Sequence, residues 1–392
     1  MTTATTEAPE VKKAAAGTKL TLPLAQLRKA LATVAPAVQR KTTIPVLGSV
    51  RIEQSNTALE FAATDLDLAI RVRIATPDAK AQEPFLLPAL KLESFAKLLQ
   101  GDDVSLHCGE ARVTLKCGRS VTKLPMLAIS NFPQIKLNDV GTGIELGQGL
   151  AERVFTYTTF AISAEEARYT LNGALLEIGN GKLAMIATDG HRLARYTAAC
   201  DTALTASMLL PAGMLRAMHK VIDPGSKALA LLETSEYSIF INIEDSTGGI
   251  ALAHRRMTGT FPNYKAIMPT AAVACVTVRA AEMAAALRRC GMFADERSGA
   301  VKLTIMPYEV RLRAASVDTG ETDEAIDVRL TGETFAEFAV GFNGDYLLDA
   351  FSRLTGDVQV RFATTNGQTA VLIYAEPAPG ETFEYVVMPM RV

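Results

Sequence analysis

One stretch of this chain occurs three times, and that recurrence restricts the fold more than any other feature. The segment PALKLESFAKLL at 88–99 returns 123 residues later as PAGMLRAMHKVI at 211–222, with Leu215, Met218 and Ile222 where the first copy has Leu92, Phe95 and Leu99. A looser third copy, NGDYLLDAFSRL, occupies 343–354, a further 132 residues on. Apolar residues at i, i+3 and i+7 line one face of a helix of about three turns. The leading proline suits the first helical position, whose N–H would have no intrahelical acceptor.

A second apolar stripe keeps the same step. It runs through Leu27, Ala30, Leu31 and Val34, then Leu150, Val154 and Tyr157, then Met283, Leu287 and Cys290; Leu27 to Leu150 is 123 residues and Leu150 to Met283 is 133. Self-similarity at so long a period marks a repeated unit of domain size. Three domains with two helices each follow, and 392 residues divide into three units of ordinary size. The expected boundaries are 17–139, 140–270 and 271–392, with FPQ at 132–134 and FPN at 261–263 closing the first two. A tail at 1–16, mostly Ala, Thr and Glu, lacks the apolar surface needed to order itself and the apolar run of a secretion signal.

Between the helices the pattern alternates apolar with polar, as in 49–54, 58–63, 104–107, 182–188 and 300–306, and a strand is expected at 325–330. Many strands and few helices per unit give an α+β class, with helices packed on antiparallel sheets.

The chemistry of catalysis and metal binding is thin. Cys108, Cys117, Cys200, Cys275 and Cys290 contain no C-x-x-C, and the four histidines supply no ligand spacing, so no metal and no cofactor is expected. His107 and Cys108 are adjacent, but they sit in an alternating segment that reads as an ordinary strand. Unpaired cysteines fit a reducing, cytoplasmic compartment, and no run of 18 apolar residues is present to span a membrane.

Charge is distributed unevenly. The six helices hold ten basic residues, Arg28, Lys29, Lys91, Lys97, Arg153, Arg216, Lys220, Arg288, Arg289 and Arg353, against five acids. The helices therefore carry +5 and the rest of the chain −7, within a total of −2. Lys and Arg are common on any solvated helix, but six equivalent helices with basic residues off their apolar stripes point to a shared surface facing a polyanion. No base-reading motif accompanies them, which suits contact with any sequence.

Two segments, ATDGHRLA at 187–194 and YVVMPMR at 385–391, resemble the bacterial replicative sliding clamps, the β subunits of DNA polymerase III. IPVLG at 44–48, ATDL at 63–66, RYTLNG at 168–173 and FPNY at 261–264 resemble the same family in the same order, so the likeness runs from about residue 19 to the end. The resemblance implies the DNA-clamp fold: three repeated domains per chain, and two chains closing head to tail into a six-domain ring around double-stranded DNA. It implies a tether without catalytic residues, which raises the local concentration of a bound polymerase and so its processivity.

The same resemblance implies a groove for short, partly hydrophobic peptides. Its residues would be Leu171, Thr188, Gly190, His191, Arg192, Leu193, Pro262, Ile267, Val386, Met388, Pro389, Met390 and Arg391. The implied partners are the DNA polymerase III α subunit, the clamp loader, and other polymerases and repair proteins. Lys41, Arg168 and Tyr169 match DNA-contacting positions of the family, while Thr170 replaces a tyrosine and Glu165 places a carboxylate beside them. Met292 and Phe293 match an apolar pair at the dimer interface; on the opposing edge Thr122 replaces an aromatic residue and Arg119 remains.

Two alternatives follow from the same residues. Those departures fit a clamp paralogue dedicated to repair or to a mobile element. Asp189 and His191 could instead belong to a hydrolase loop, but no P-loop, metal spacing or nucleophile elbow accompanies them, and Asp-Gly is first a turn signal.

Overall fold

In the structure, a computed structural model, residues 19–77, 79–137, 142–165, 167–202, 204–223, 229–235, 237–245, 248–332 and 337–391 are described. The tail expected at 1–16 and the boundary expected at 139–140 lie outside them.

The elements recur in three passes. The first comprises β1 (Lys19–Pro23), α1 (Leu24–Val34), β2 (Ser49–Gln54), β3 (Ala58–Thr64), β4 (Leu68–Ala75), β5 (Gln82–Pro88), α2 (Ala89–Leu98), β6 (Asp103–Cys108), β7 (Arg112–Cys117) and β8 (Ser120–Pro125). The second is β9 (Thr142–Gly147), α3 (Gln148–Thr156), β10 (Gly173–Gly179), β11 (Lys182–Thr188), β12 (Arg192–Ala199), β13 (Ala206–Pro211), α4 (Ala212–Val221), β14 (Leu229–Thr234), β15 (Ser238–Asp245) and β16 (Gly248–Arg255). The third is β17 (Ala274–Arg279), α5 (Ala280–Gly291), β18 (Ala300–Ile305), β19 (Glu309–Ser316), β20 (Gly320–Asp327), β21 (Arg329–Gly332), β22 (Phe338–Asn343), α6 (Gly344–Phe351), β23 (Asp357–Phe362), β24 (Val371–Ala375) and β25 (Thr382–Val387).

Two details differ from expectation. Pro88 is the N-cap of α2 and the last residue of β5, not the first helical residue. Its φ of −58° and ψ of 108° let the strand run straight into the helix, and β5 is an edge strand, where a missing N–H costs little. The strand expected at 325–330 is instead the end of β20 and the start of β21. Buried Val328 separates them, its N–H bonded to the Tyr308 carbonyl, and the two strands belong to different sheets.

The chain forms two compact units, Met1–Gly149 with Arg216–Arg256, and Leu150–Leu215 with Met257–Val392. The first unit holds a four-stranded sheet ordered β1-β6-β7-β8 and an eight-stranded sheet ordered β5-β2-β3-β4-β16-β15-β14-β9. Within it α1 buries Leu24, Leu27, Ala30, Leu31 and Val34, and α2 buries Leu92 and Ala96. Each fully buried leucine contributes about 1.5–3 kcal/mol of transfer free energy. The second unit holds a nine-stranded sheet ordered β13-β10-β11-β12-β25-β24-β23-β17-β21 and a four-stranded sheet ordered β20-β19-β18-β22. Here α5 buries Met283, Ala284, Leu287 and Cys290, while the Asn343 side chain caps α6 by accepting from the Asp345 and Tyr346 amides.

Both long sheets are joined the same way. In the first unit β4 pairs antiparallel with β16, from Ile74 opposite Gly248 to Leu68 opposite His254. In the second, β12 pairs with β25, from Arg192 opposite Val387 to Thr197 opposite Thr382. Each join links the third strand of one repeat's first hairpin set to the third strand of the next repeat's second set.

Candidate functional site

The second unit gathers the residues implied for a peptide groove. Thr188 to Arg192 form the turn between β11 and β12. Its Asp189 carboxylate accepts from the His191 and Arg192 amides at 2.9 and 3.0 Å, and Thr188 Oγ1 accepts from the Gly190 amide at 3.1 Å. Gly190 has φ of +91°, which glycine adopts without strain, and a Cβ there would stand 2.8 Å from the movable end of the Arg168 side chain. Arg168 donates to the Asp189 carbonyl at 2.7 Å and pairs with Glu165 at 2.9 Å. The carboxylate of Glu165 therefore neutralises the arginine next to it.

Leu193 and Val386 face each other across β12 and β25 and are each 1% exposed, so they form a floor rather than a contact surface. Around them pack Leu175, Ile186, Leu209, Phe261, Tyr264 and Leu372, with Leu171, Met257 and Met268 partly covering the cluster. The segment 257–270 crosses this sheet, held by Phe261 and Tyr264, whose hydroxyl donates to Glu177 at 2.6 Å. That leaves Pro262 exposed and Ile267 48% exposed. The Met388 amide donates to the His191 carbonyl at 3.0 Å, which ties the end of the chain to the turn, and the Met388 side chain is 46% exposed. Exposed apolar side chains over a dry apolar floor suit a hydrophobic ligand.

Arg192 has a different placement from its neighbours. Its side chain is only 10% exposed, and its guanidinium reaches Asp189 at 3.0 Å, Asp349 at 2.6 Å, the Phe160 carbonyl at 2.8 Å and the Tyr346 ring at 4.4 Å. It anchors the turn from behind, while His191 stays exposed, its ring 6.4 Å from that of Tyr346. Sequence reading missed Phe160, Tyr346 and Asp349. They lie on a 3-10 turn (Thr159–Ala161) and on α6, and only the fold brings them behind β12. Beyond Met388, residues Pro389, Met390 and Arg391 line a cavity of about 470 Å³.

The helix cations divide into two groups. In the first unit Arg28 donates to the Ala96 and Leu99 carbonyls at 2.8 and 2.5 Å, closing the end of α2, and Lys97 pairs with Glu93 at 2.7 Å. Lys29, Lys91, Arg216 and Lys220 are exposed and have no ion pair among the described residues, as does Lys41. In the second unit Arg153 holds Glu381 at 2.5 and 2.8 Å, Arg289 holds Glu324 at 2.6 and 2.8 Å, and Arg353 pairs with Asp349 at 3.2 Å and lies 4.3 Å from the Phe160 ring centre. Arg288 is exposed and unpaired among the described residues, and Tyr169 is exposed. Burial works against the Glu381 charge, but hydrogen bonds from Arg153 and Tyr196 outweigh it and hold its carboxyl below the ordinary value. The same burial, together with the bond to Glu381, pushes the Tyr196 hydroxyl up.

The residues implied for a dimer interface stand on sheet edges or beside a helix end. β8 is an edge strand of the first unit, with Arg119 exposed in the turn before it and Val121 exposed along it. In the second unit β20 is an edge strand with Glu321, Asp323 and Asp327 exposed. Met292 follows α5 and is exposed, and Phe293 is half-buried. Among the described residues no cluster of three or more His, Cys, Asp or Glu could hold a metal ion, and no helix is long and apolar enough to cross a membrane.

Three passes of strand, helix and hairpin set, linked through shared antiparallel sheets, with exposed apolar side chains over a buried apolar cluster on one of them, define a DNA clamp. The chain matches family profiles described as the DNA polymerase III β subunit N-terminal domain over 18–136, its central domain over 145–263 and its C-terminal domain over 265–391. It is 32% identical over 391 residues to the β sliding clamp of Caulobacter vibrioides, covering 95% of this chain and all of that one. The β sliding clamp of Escherichia coli K12 is 27% identical over 378 residues, with 95% and 100% covered. Among solved structures, the Caulobacter crescentus β sliding clamp superposes with a TM-score of 0.82 at 30% identity, covering 96% of this chain and 100% of that one. A Pseudomonas aeruginosa clamp bound to griselimycin gives 0.85 at 24% identity, with the same coverage. The chain belongs to the DNA polymerase III β-subunit family; it is a DNA sliding clamp for the replicative polymerase.

Proposed function

We propose that two copies of this chain close a ring around duplex DNA through β8 of one and β20 of the other. One observation carries the reading. Third strands join successive repeats at β4–β16 and β12–β25, and the two four-stranded sheets left over end in the two third strands that have no such partner, β8 and β20. Applied once more, between chains, the same rule closes the assembly. The edges are complementary in charge, with Arg119 and Lys123 on one and Asp323 and Asp327 on the other, Glu321 being held by Arg313 of its own chain. Met292 and Phe293 would add the apolar contact beside that seam.

The three clamp domains are then 17–139, 140–270 and 271–392. Lys29, Lys41, Lys91, Arg216, Lys220 and Arg288, exposed and without an ion pair among the described residues, form the DNA-facing surface together with Tyr169; the helix cations held by acceptors of the chain itself lend the helices structure instead. Screened, non-specific contact of this kind holds DNA weakly and lets topology do the retaining. The groove built on Leu171, Leu193, Ile267, Val386 and Met388 docks short hydrophobic peptides from the polymerase III α subunit, the clamp loader, and other polymerases and repair proteins. A related clamp was solved with polyethylene glycol on its described β-motif tethering region, which supports a groove that accepts flexible, extended chains. The protein acts in the cytoplasm as a processivity factor without catalysis of its own.

The test is topological. The protein loaded on a nicked circular plasmid by a clamp loader should stay bound through gel filtration and be lost once the plasmid is linearised; retention indifferent to DNA ends overturns the ring. Sedimentation of Met292→Ala/Phe293→Ala as an unchanged dimer removes those two residues from the seam.

A further inference from the structure

The proposed groove ends, on family resemblance, at Arg391, but the cavity there continues. About 470 Å³ in volume, it is lined by Pro389, Met390 and Arg391 on one side and by Lys302, Gly341, Gly367 and Gln368 among the residues opposite. Its two charged groups are both cations, and neither Lys302 nor Arg391 has an ion pair among the described residues. No carboxylate of the described residues lines it.

The walls explain why the space stays open. Lys302 on β18 stands opposite Gly341 on β22 and Arg313 on β19, so its neighbour toward the end of the chain has no side chain, and Arg313 is already paired with Glu321 at 2.6 Å. The Met390 amide donates to the Gly341 carbonyl at 2.8 Å, fixing the terminal segment along β22. Gly367 has φ of +69°, and a Cβ there would lie 2.5 Å from the Ala339 carbonyl oxygen, so that wall is a backbone surface. A volume of this size holds a side chain and its hydration, and two uncompensated cations make an anion its best occupant.

We propose that this cavity is an acid-accepting subsite, and that a peptide docked in the groove places a carboxylate side chain between Lys302 and Arg391. The inference rests on the peptide groove proposed above. Continuity selects the occupant, because the cavity and the groove share Pro389, Met390 and Arg391, so a chain lying over Met388 reaches it without leaving the surface.

The test uses the full chain and fluorescein-labelled nonapeptides carrying a Leu-Phe anchor in a Gly/Gln background, with a single Glu moved through the remaining positions. By anisotropy in about 50 mM salt, one Glu position should bind about 2- to 5-fold tighter than its Gln parent, the range expected of a partly screened ion pair. Lys302→Glu should reverse that preference while leaving the affinity of the Gln parent unchanged. Binding of the parent with no Glu effect at any position overturns the subsite alone. A Glu effect that survives Lys302→Glu also overturns it. Failure of every peptide to bind rejects the groove, and the subsite with it. Displacement of the Glu peptide, but not the Gln parent, by a 20-base-pair duplex makes the cavity a phosphate site instead and overturns the proposal.

Discussion

The turn at 64–68 and the turn at 188–192 share their internal hydrogen bonds, yet the sheets behind them carry different chemistry. Thr64 Oγ1 donates to the Leu68 carbonyl at 3.0 Å as Thr188 Oγ1 donates to that of Arg192 at 2.6 Å. Asp65 Oδ1 accepts from the Asp67 and Leu68 amides at 3.0 and 2.7 Å, matching Asp189. Even the left-handed residue recurs, Leu66 at φ +84° against Gly190 at +91°. Behind the second turn the sheet presents Leu175 opposite Ile186; behind the first, the same two places hold Arg51 opposite Ala62. The segment crossing each sheet follows suit. In the second unit it packs Phe261 and Tyr264 into an apolar floor, whereas in the first Ile135 and Leu137 sit on Ala69, Ala251, Ala253 and Phe240, beside a cavity lined by Arg51, Arg71 and Lys136. The repeat supplies the scaffold, and a few substitutions on the same sheet face give one copy an apolar cluster where the other carries arginine.

Four substitutions break or sharpen that contrast. Leu175→Arg, which gives the second unit the first unit's residue, buries a charge in the floor; chemical denaturation should show a loss of about 4 kcal/mol, and peptide affinity should vanish. If stability and affinity both survive, the floor is not what distinguishes the units.

Glu381→Gln ranks next, since it removes the charged partner of Arg153 where the first unit's Arg28 merely caps carbonyls; about 2 kcal/mol should be lost at pH 7. The carboxyl of Glu381 titrates below its ordinary value of 4.5, so its contribution is complete above that pH and fades as acid protonates it. The gap between parent and variant should therefore close as pH falls below 4.5, whereas a gap that widened in acid would reverse the assignment.

Gly190→Ala, strained by φ and crowded by Arg168, should cost about 1–2 kcal/mol in thermal or chemical melts. Leu66→Gly relaxes the same strain in the twin turn but loosens the unfolded chain; the two effects nearly cancel, and the change should stay within about 1 kcal/mol. Equal effects at the two turns would show that the left-handed position is no more demanding beside the groove than away from it.

What the sequence made legible was whatever has a local period. The apolar stripes of α1, α2, α4 and α5 and the alternation of β2, β6 and β18 could be read directly, because burial on one face leaves that mark. The joins β4–β16 and β12–β25 left none, since the partners are far apart in the chain and pairing is settled by packing. For the same reason β5 was invisible: its run Phe85, Leu86, Leu87 is buried without alternation. Counting helix charge overstated the free cations, as Arg28, Arg153, Arg289 and Arg353 find acceptors on other elements or on neighbouring turns. The residues expected of a groove came from the family resemblance, but the supports behind Arg192, namely Phe160, Tyr346 and Asp349, belong to none of the segments that carry it.

The strand-sharing joins also bear on how this polypeptide can be dissected. A cut at either repeat border would orphan β4 or β25, baring a ladder of unpaired amides and carbonyls on a strand with an apolar flank. Fragments made one repeat at a time should therefore clump when expressed, and so should two-repeat fragments, because keeping one join intact still orphans the middle repeat's strand of the other, β12 or β16.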